Sequence, residues 1–300
     1  MTTLSSANRL GYRYIAMMDI LGFRDALQRY PILEIVENVA RSFSATKHFE
    51  CSVSTSVKPG IRQTSWTGTI KHRSALFSDT IIVWTSNITD PELGRDRAIK
   101  LTFLKNIADF IFQSFVCGVP IRVGVAFGQC YIHKSANIFI GQPIVDAHLV
   151  EMAQEWVGGA LHPNCSPAEM FSWGRLASPV VEYQIPVKEG FELSLGYALD
   201  WTEVPREHVM FRRRGIKPEE FGYPIYADEM LNHAFKRYTQ GVLSESVREK
   251  YRNAEIFTQI QMEEKALYCL RHDRDLLKQM EKNKGENRIA PQSPTITPGR

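Results

Sequence analysis

Long apolar runs are missing from this chain: none approaches the roughly 18 residues that a helix needs to cross a bilayer. The opening stretch, MTTLSSANRLGYRY, lacks the charged-then-apolar pattern of a secretory leader. Cysteine is sparse. The five residues (Cys51, Cys117, Cys130, Cys165, Cys269) are scattered with no CxxC or Cys/His spacing, which excludes a disulfide framework and a zinc site and points to a reducing compartment. An excess of charge is also lacking. The net charge of +3 is too small to indicate nucleic acid or a membrane as partner. Internal repeats are absent. The expectation is a soluble, cytoplasmic protein.

What is present is ordinary globular material, 44% apolar and 23% charged over 300 residues. That length suits one domain of about 200–250 residues with a smaller appendage. The expected organisation is a main domain over 1–240, an amphipathic helix over 241–284, and a disordered tail over 285–300, where Pro, Ser and Gly replace large apolar groups.

Against that plain background, two apolar runs each carry one aspartate. The first is YIAMMDILGF, with Asp19; the second is ALFSDTIIVW, with Asp79 in the middle of a strand expected over 74–85. An ionised carboxylate among Ile, Leu and Val needs a partner, because drying it without one costs several kcal/mol or more. A buried Arg or Lys, a proton, or a divalent cation would each serve. Two carboxylates brought together are hard oxygen ligands of the kind Mg²⁺ uses when it holds substrate phosphates. The bland alternative is a pair of structural aspartates that cap turns or pair with arginine.

Periodicity places a strand over 13–23, then a helix from about Asp25 to Lys47 that Pro31 kinks or restarts. Strand and loop over 52–70, with a turn at Pro59-Gly60, lead into 74–85. A helix over about 92–116, opened by Pro91, stops at Gly118-Val119-Pro120. IRVGVAFGQCYI forms a third strand that returns through a hairpin near Ser135-Ala136-Asn137, and a helix follows over about 143–156. VVEYQIPVK and LSLGYALDW extend the sheet, and helices near 224–238 and 245–281 close the chain. The order β-α-β-β-α-β-β-α predicts an α+β fold: a ferredoxin-like, palm-type antiparallel sheet with helices packed on one face, plus a C-terminal helical extension.

Four segments in this order carry a resemblance: Asp19-Ile20-Leu21-Gly22-Phe23, Ser78-Asp79-Thr80, Arg122-Val-Gly-Val-Ala-Phe-Gly128, and Gly141-Gln-Pro-Ile-Val-Asp-Ala147. Over about 13–160 the chain resembles the catalytic domain of class III nucleotidyl cyclases, and within them the bacterial pyrimidine cyclases of Pycsar antiphage systems. The resemblance implies two Mg²⁺ or Mn²⁺ ions held by Asp19, Asp79 and the carbonyl of Ile20. It implies that Leu21, Gly22 and Phe23 cradle the phosphates at a helix start, and that Arg122 reaches the triphosphate. It also implies a homodimer with composite active sites, and a cyclic nucleotide that acts on a separate effector.

The departures are as informative. The family helix resembles G-x-x-V-N-x-A-x-R; here Val145 stands at the Asn position and Leu149 at the Arg position. His148, Gln142 and Arg73 are unranked candidates to replace them. The Lys and Asp by which adenylyl cyclases read adenine are Ala75 and Ile138 here. The expected function is a pyrimidine nucleotide cyclase that converts UTP or CTP to the 3′,5′-cyclic monophosphate. Alternatives are a purine cyclase with an unusual base pocket, and a silent nucleotide-binding regulator. Arg212-Arg213-Arg214 reads as a solvated basic loop, and the 245–281 helix as core or dimer packing.

Overall fold

A computed structural model of the chain describes residues 9–45, 50–54, 67–88, 97–165, 178–203, 231, 234, 244–261 and 264. The Pro59-Gly60 turn, Pro91, Arg212–Arg214, most of the 224–238 helix, all of 265–281 and the 285–300 tail lie outside the described residues. The chain divides into two compact units, Met1–Thr258 and Gln259–Arg300. Of the second, only Gln259, Ile260, Gln261 and Glu264 are described, all four in helical conformation. The sheet and its helices belong to the first.

The strands are β1 (Leu10–Ile20), β2 (Glu50–Ser54), β3 (Thr67–Phe77), β4 (Thr80–Thr85), β5 (Ile121–His133), β6 (Ile138–Gly141), β7 (Gly158–Leu161), β8 (Val180–Glu182) and β9 (Tyr197–Leu199). The helices are α1 (Phe23–Arg29), α2 (Ile32–Ala45), α3 (Arg97–Val116), α4 (Gln142–Ala153) and, after residue 244, α5. Pro31 falls between α1 and α2, as a residue that cannot donate within a helix should. The sheet order is β2-β3-β4-β1-β5-β7-β9-β8, with β6 paired to β5. All described pairings are antiparallel except β5 with β7. That parallel pair departs from the antiparallel expectation. It requires a crossover, and β6 with α4 supplies it.

The palm-type α+β expectation describes this sheet. One detail differs: the helices are not all on one face. Residues directly opposite in an antiparallel pair share a face. Tyr14 lies opposite Phe127, and Tyr14 stacks on Phe103 of α3 with ring centroids 5.5 Å apart. Asp19, Met17 and Ile15 lie opposite Arg122, Gly124 and Ala126 on the other face, and α4 covers that one. The approach of α4 is close. A Cβ built on Gly124 would stand 2.1 Å from the Ala147 carbonyl oxygen and 2.5 Å from the Glu151 nitrogen, and one on Gly128 would touch Pro143. Periodicity shows that α4 has an apolar side, but not which side of a sheet it meets. In the same unit, Phe257 of α5 packs edge-on against Trp156, 5.0 Å between centroids, and Asn253 donates to the Glu155 carbonyl at 2.7 Å.

Gly124→Ala should push α4 away from β5 and lower stability by more than about 2 kcal/mol, as overpacking against backbone does; the urea midpoint measures it. A second prediction concerns His72, which is buried edge-on to Phe103 and lies 3.0 Å from the Asn106 amide through Nδ1. Burial lowers its pKa to about 4 from 6.5, so the folded state keeps it neutral while the unfolded chain takes a proton. Stability from this group is therefore complete above pH 6.5 and is lost as pH falls toward 4, by up to about 3 kcal/mol. Urea unfolding at pH 7 and pH 5 should show this loss, reduced in His72→Phe.

Candidate functional site

The site is built on the end of β1, the strand at the centre of the sheet. Asp19 is its penultimate residue, flanked by Thr80 of β4 on one side and Arg122 of β5 on the other. The Ile20 N–H donates to the Asp79 carbonyl oxygen at 3.1 Å. The two aspartates singled out by the sequence are thus neighbours across β1 and the β3–β4 hairpin, and the charge of Asp79 acts on Asp19.

The surroundings of Asp79 correct one expectation. Residues 74–85 are not one buried strand with Asp79 in the middle. They are the end of β3, a two-residue turn at Ser78-Asp79, and β4. Ser78 takes a left-handed φ of 58°, and Asp79 is half-buried at the tip. Phe77 beside it is 85% exposed. A two-residue hairpin inside an apolar run leaves no polar gap for hydropathy to register, although Ser and Asp are turn formers. Desolvation of a charge therefore accounts for Asp19 and not for Asp79, whose place is set by the turn.

Asp19 lies within the sheet, with 26% of its side chain exposed. Burial raises its pKa; the Arg122 guanidinium opposes that rise, Asp79 adds to it, and Lys188 and Lys250 oppose it more weakly. Arg122 itself is buried among partners. Its Nε donates to Glu151 Oε1 at 2.7 Å, one terminal nitrogen reaches the same oxygen at 2.5 Å and Asp19 Oδ2 at 3.2 Å, and the other donates to the Gln154 carbonyl at 3.3 Å. Glu151, on α4, is raised by burial and lowered by Arg122. One guanidinium thus stands between two carboxylates, Asp19 and Glu151. In this arrangement Arg122 pairs with carboxylates and all three of its nitrogens are engaged, unlike the triphosphate-reaching arginine that the resemblance implies.

The loop after β1 is tight. Leu21 donates its N–H to the Pro120 carbonyl at 2.9 Å, so that group is already used. Gly22 takes a left-handed φ of 73°, and a Cβ placed there would meet nothing within 4 Å, so conformation and not close approach calls for glycine. Phe23 opens α1, only seven residues long, and the N–H groups of its first turn stand outside the helix ladder.

The remaining candidates lie elsewhere. Val145 and Leu149 on α4 are 51% and 45% exposed, and Ile138 and Ile140 of β6 are exposed as well. Gln142 donates to Asp146 at 2.7 Å, and Asn164 donates to the same carboxylate at 3.0 Å, so this group ties α4 to the segment after β7. His148 reaches Glu151 Oε2 at 3.5 Å. Arg73 lines a separate cavity of about 270 Å³ with Arg13, Trp84 and Lys134. Ala75 packs beside the core cluster of Ile15, Trp84 and Ala126. Glu151 was not singled out from the sequence. A signal existed: it falls four residues after Ala147, on the apolar side of α4, where a lone charge asks for a partner.

Among the described residues no group of three or more His, Cys, Asp or Glu side chains is arranged for a metal ion. Two carboxylates are the number that Mg²⁺ takes when water and phosphate fill its other positions. Asp19 and Asp79 fit that donor set in kind and number.

No family model and no curated protein matches the chain. Solved structures do. A bacterial light-regulated adenylyl cyclase is 12% identical, with 64% of this chain covered and a TM-score of 0.40; the chain spans about half, 52%, of its length. The guanylyl cyclase Cya2 is 12% identical over 63% of this chain and 99% of its own, at a TM-score of 0.36. A class III adenylyl cyclase-like ATP-binding protein from Pseudomonas aeruginosa is 11% identical over 56% of this chain and 38% of its own, at 0.38.

Divalent cations should raise the melting temperature of the protein in proportion to their affinity. Because burial raises the pKa of Asp19, protons compete with the cation above the ordinary carboxylate range, so the rise with Mn²⁺ should grow as pH increases from 5 to 8. Asp19→Asn should remove most of it. Differential scanning fluorimetry across that pH range checks both.

Proposed function

We propose that the chain is a nucleotidyl cyclase whose substrate is a pyrimidine nucleoside triphosphate, UTP before CTP. The observation that carries this is the meeting of Asp19 and Asp79 at the open end of the central strand, beside the loop Leu21-Gly22-Phe23 at the start of α1. In the reaction the ribose 3′-oxygen bonds to the α-phosphorus, the bond to the β-phosphate oxygen breaks, the hydroxyl proton leaves, and pyrophosphate departs.

Asp19 and Asp79, with the carbonyl of Ile20, would hold two Mg²⁺ or Mn²⁺ ions, which when bound supply positive charge against the phosphate oxygens and acidify the 3′-hydroxyl. The N–H groups of the N-cap Gly22 and of Phe23 would serve as donors to the terminal phosphates. Arg122 holds Asp19 in place, and its reach toward phosphate requires it to leave that carboxylate. Ala75 and Ile138, apolar at the positions that the resemblance assigns to purine reading, favour a smaller base. The exposed apolar residues Ile138, Ile140, Val145 and Leu149 suit burial against a second copy, which would complete the site as a homodimer. The product would be a second messenger for a separate effector in antiphage defence.

A second reading is a silent domain that binds nucleotide without turning it over. The contact of Arg122 with Asp19 favours it, as do the apolar Val145 and Leu149. Incubation with Mn²⁺ and equal amounts of ATP, GTP, CTP and UTP, followed by mass spectrometry, separates the readings. Cyclic UMP or cyclic CMP is expected; cyclic AMP as the main product overturns the pyrimidine assignment, and nucleotide retained with no cyclic product supports the silent domain. Asp79→Ala should lower turnover by about a thousandfold or more, since it removes charge stabilisation worth several kcal/mol.

A further inference from the structure

The contacts of Arg122 with its two carboxylate partners are unequal. Glu151 Oε1 accepts from Nε at 2.7 Å and lies 2.5 Å from the terminal nitrogen that donates to Asp19 Oδ2 at the longer distance of 3.2 Å. Glu151 is as buried as Arg122 and is fixed by α4, whose backbone nitrogen at that residue lies against Gly124 of β5. Asp19 is the more exposed of the two carboxylates. A guanidinium presents a rigid planar fork, so its position is decided by the partner that takes more of it. The Gln154 carbonyl, just past the end of α4, takes a third N–H.

We infer that Glu151 is a positioning residue that draws the Arg122 guanidinium toward α4 and so leaves the carboxylate of Asp19 available to a divalent cation. This rests on the reading of Asp19 and Asp79 as the cation site and adds the group that keeps the site open. With Glu151 absent, Asp19 is the carboxylate left within reach of the Arg122 fork. The arginine then closes on it and competes directly with the cation for the same oxygens. The requirement is one of reach as well as charge, because the side chain must span from α4 to the Nε edge of Arg122 on β5.

The test is Mn²⁺ binding by calorimetry or electron paramagnetic resonance, without nucleotide, on the full chain. The buffer carries 1 M KCl, where the Debye length is about 3 Å, which suppresses charge effects carried through solvent; the buried Arg122–Glu151 pair is screened much less, so the charge-keeping Glu151→Asp is the deciding variant. Glu151→Asp keeps the charge and shortens the reach; Glu151→Gln keeps the reach and removes the charge. Both should weaken Mn²⁺ binding about tenfold or more. Arg122→Met combined with Glu151→Gln removes the competitor and should restore affinity to within about threefold of the native protein. That pair is neutral and close in volume, so it keeps the test open if the shortened variant does not fold.

Native affinity in Glu151→Asp, or a double variant as weak as Glu151→Gln alone, overturns the inference while the cation site stands. If the native protein binds no Mn²⁺, or if Asp79→Asn leaves binding unchanged, the cation site itself falls and the role of Glu151 falls with it.

Discussion

One guanidinium, Arg122, joins the central strand to α4, and the candidate site takes its shape from that contact. Buried arginine is tolerated only when its donors are matched, and here Glu151, the Gln154 carbonyl and Asp19 match them. The same contact sets the electrostatics. Burial pushes Asp19 and Glu151 toward the protonated form, and Arg122 pulls both back.

The geometry depends on how near α4 lies to the sheet. Gly124 and Gly128 on β5 remove the side chains that would hold the helix away, and the backbone of α4 at Ala147 and Glu151 takes the space at one, Pro143 at the other. The crossover from β5 through β6 and α4 to β7 then returns the chain in parallel beside Arg122, with Gly158 as its register partner. Arg122 is therefore enclosed by β1, α4 and β7 together. Glycines that look like simple breaks in a strand are here what lets a charged helix residue reach a charged strand residue.

The hairpin contributes by a different physics. Its tip holds Asp79 near Asp19 through a left-handed Ser78 and a main-chain bond to Ile20. Two carboxylates thus arrive at one place by two routes, one enclosed within a strand and one carried on a turn. The carboxylate within the strand has Arg122 as its internal counter-ion.

Much of the architecture was legible in the chain itself. The apolar runs at β1 and β5, the helical periods of α2, α3 and α4, and Pro31 between α1 and α2 follow from local chemistry, because side-chain periodicity and backbone restrictions act within a few residues. Asp19 was legible for the same reason, as a charge inside an apolar strand. The division of 74–85 into two strands was not, since a two-residue turn leaves the hydropathy unbroken. The face occupied by α4, the parallel pairing of β7, and the partnership of Arg122 with Glu151 were not legible either. They are contacts between segments distant in the chain, and only the packing of one surface against another, with the pairing that buried charge demands, decides which partners meet.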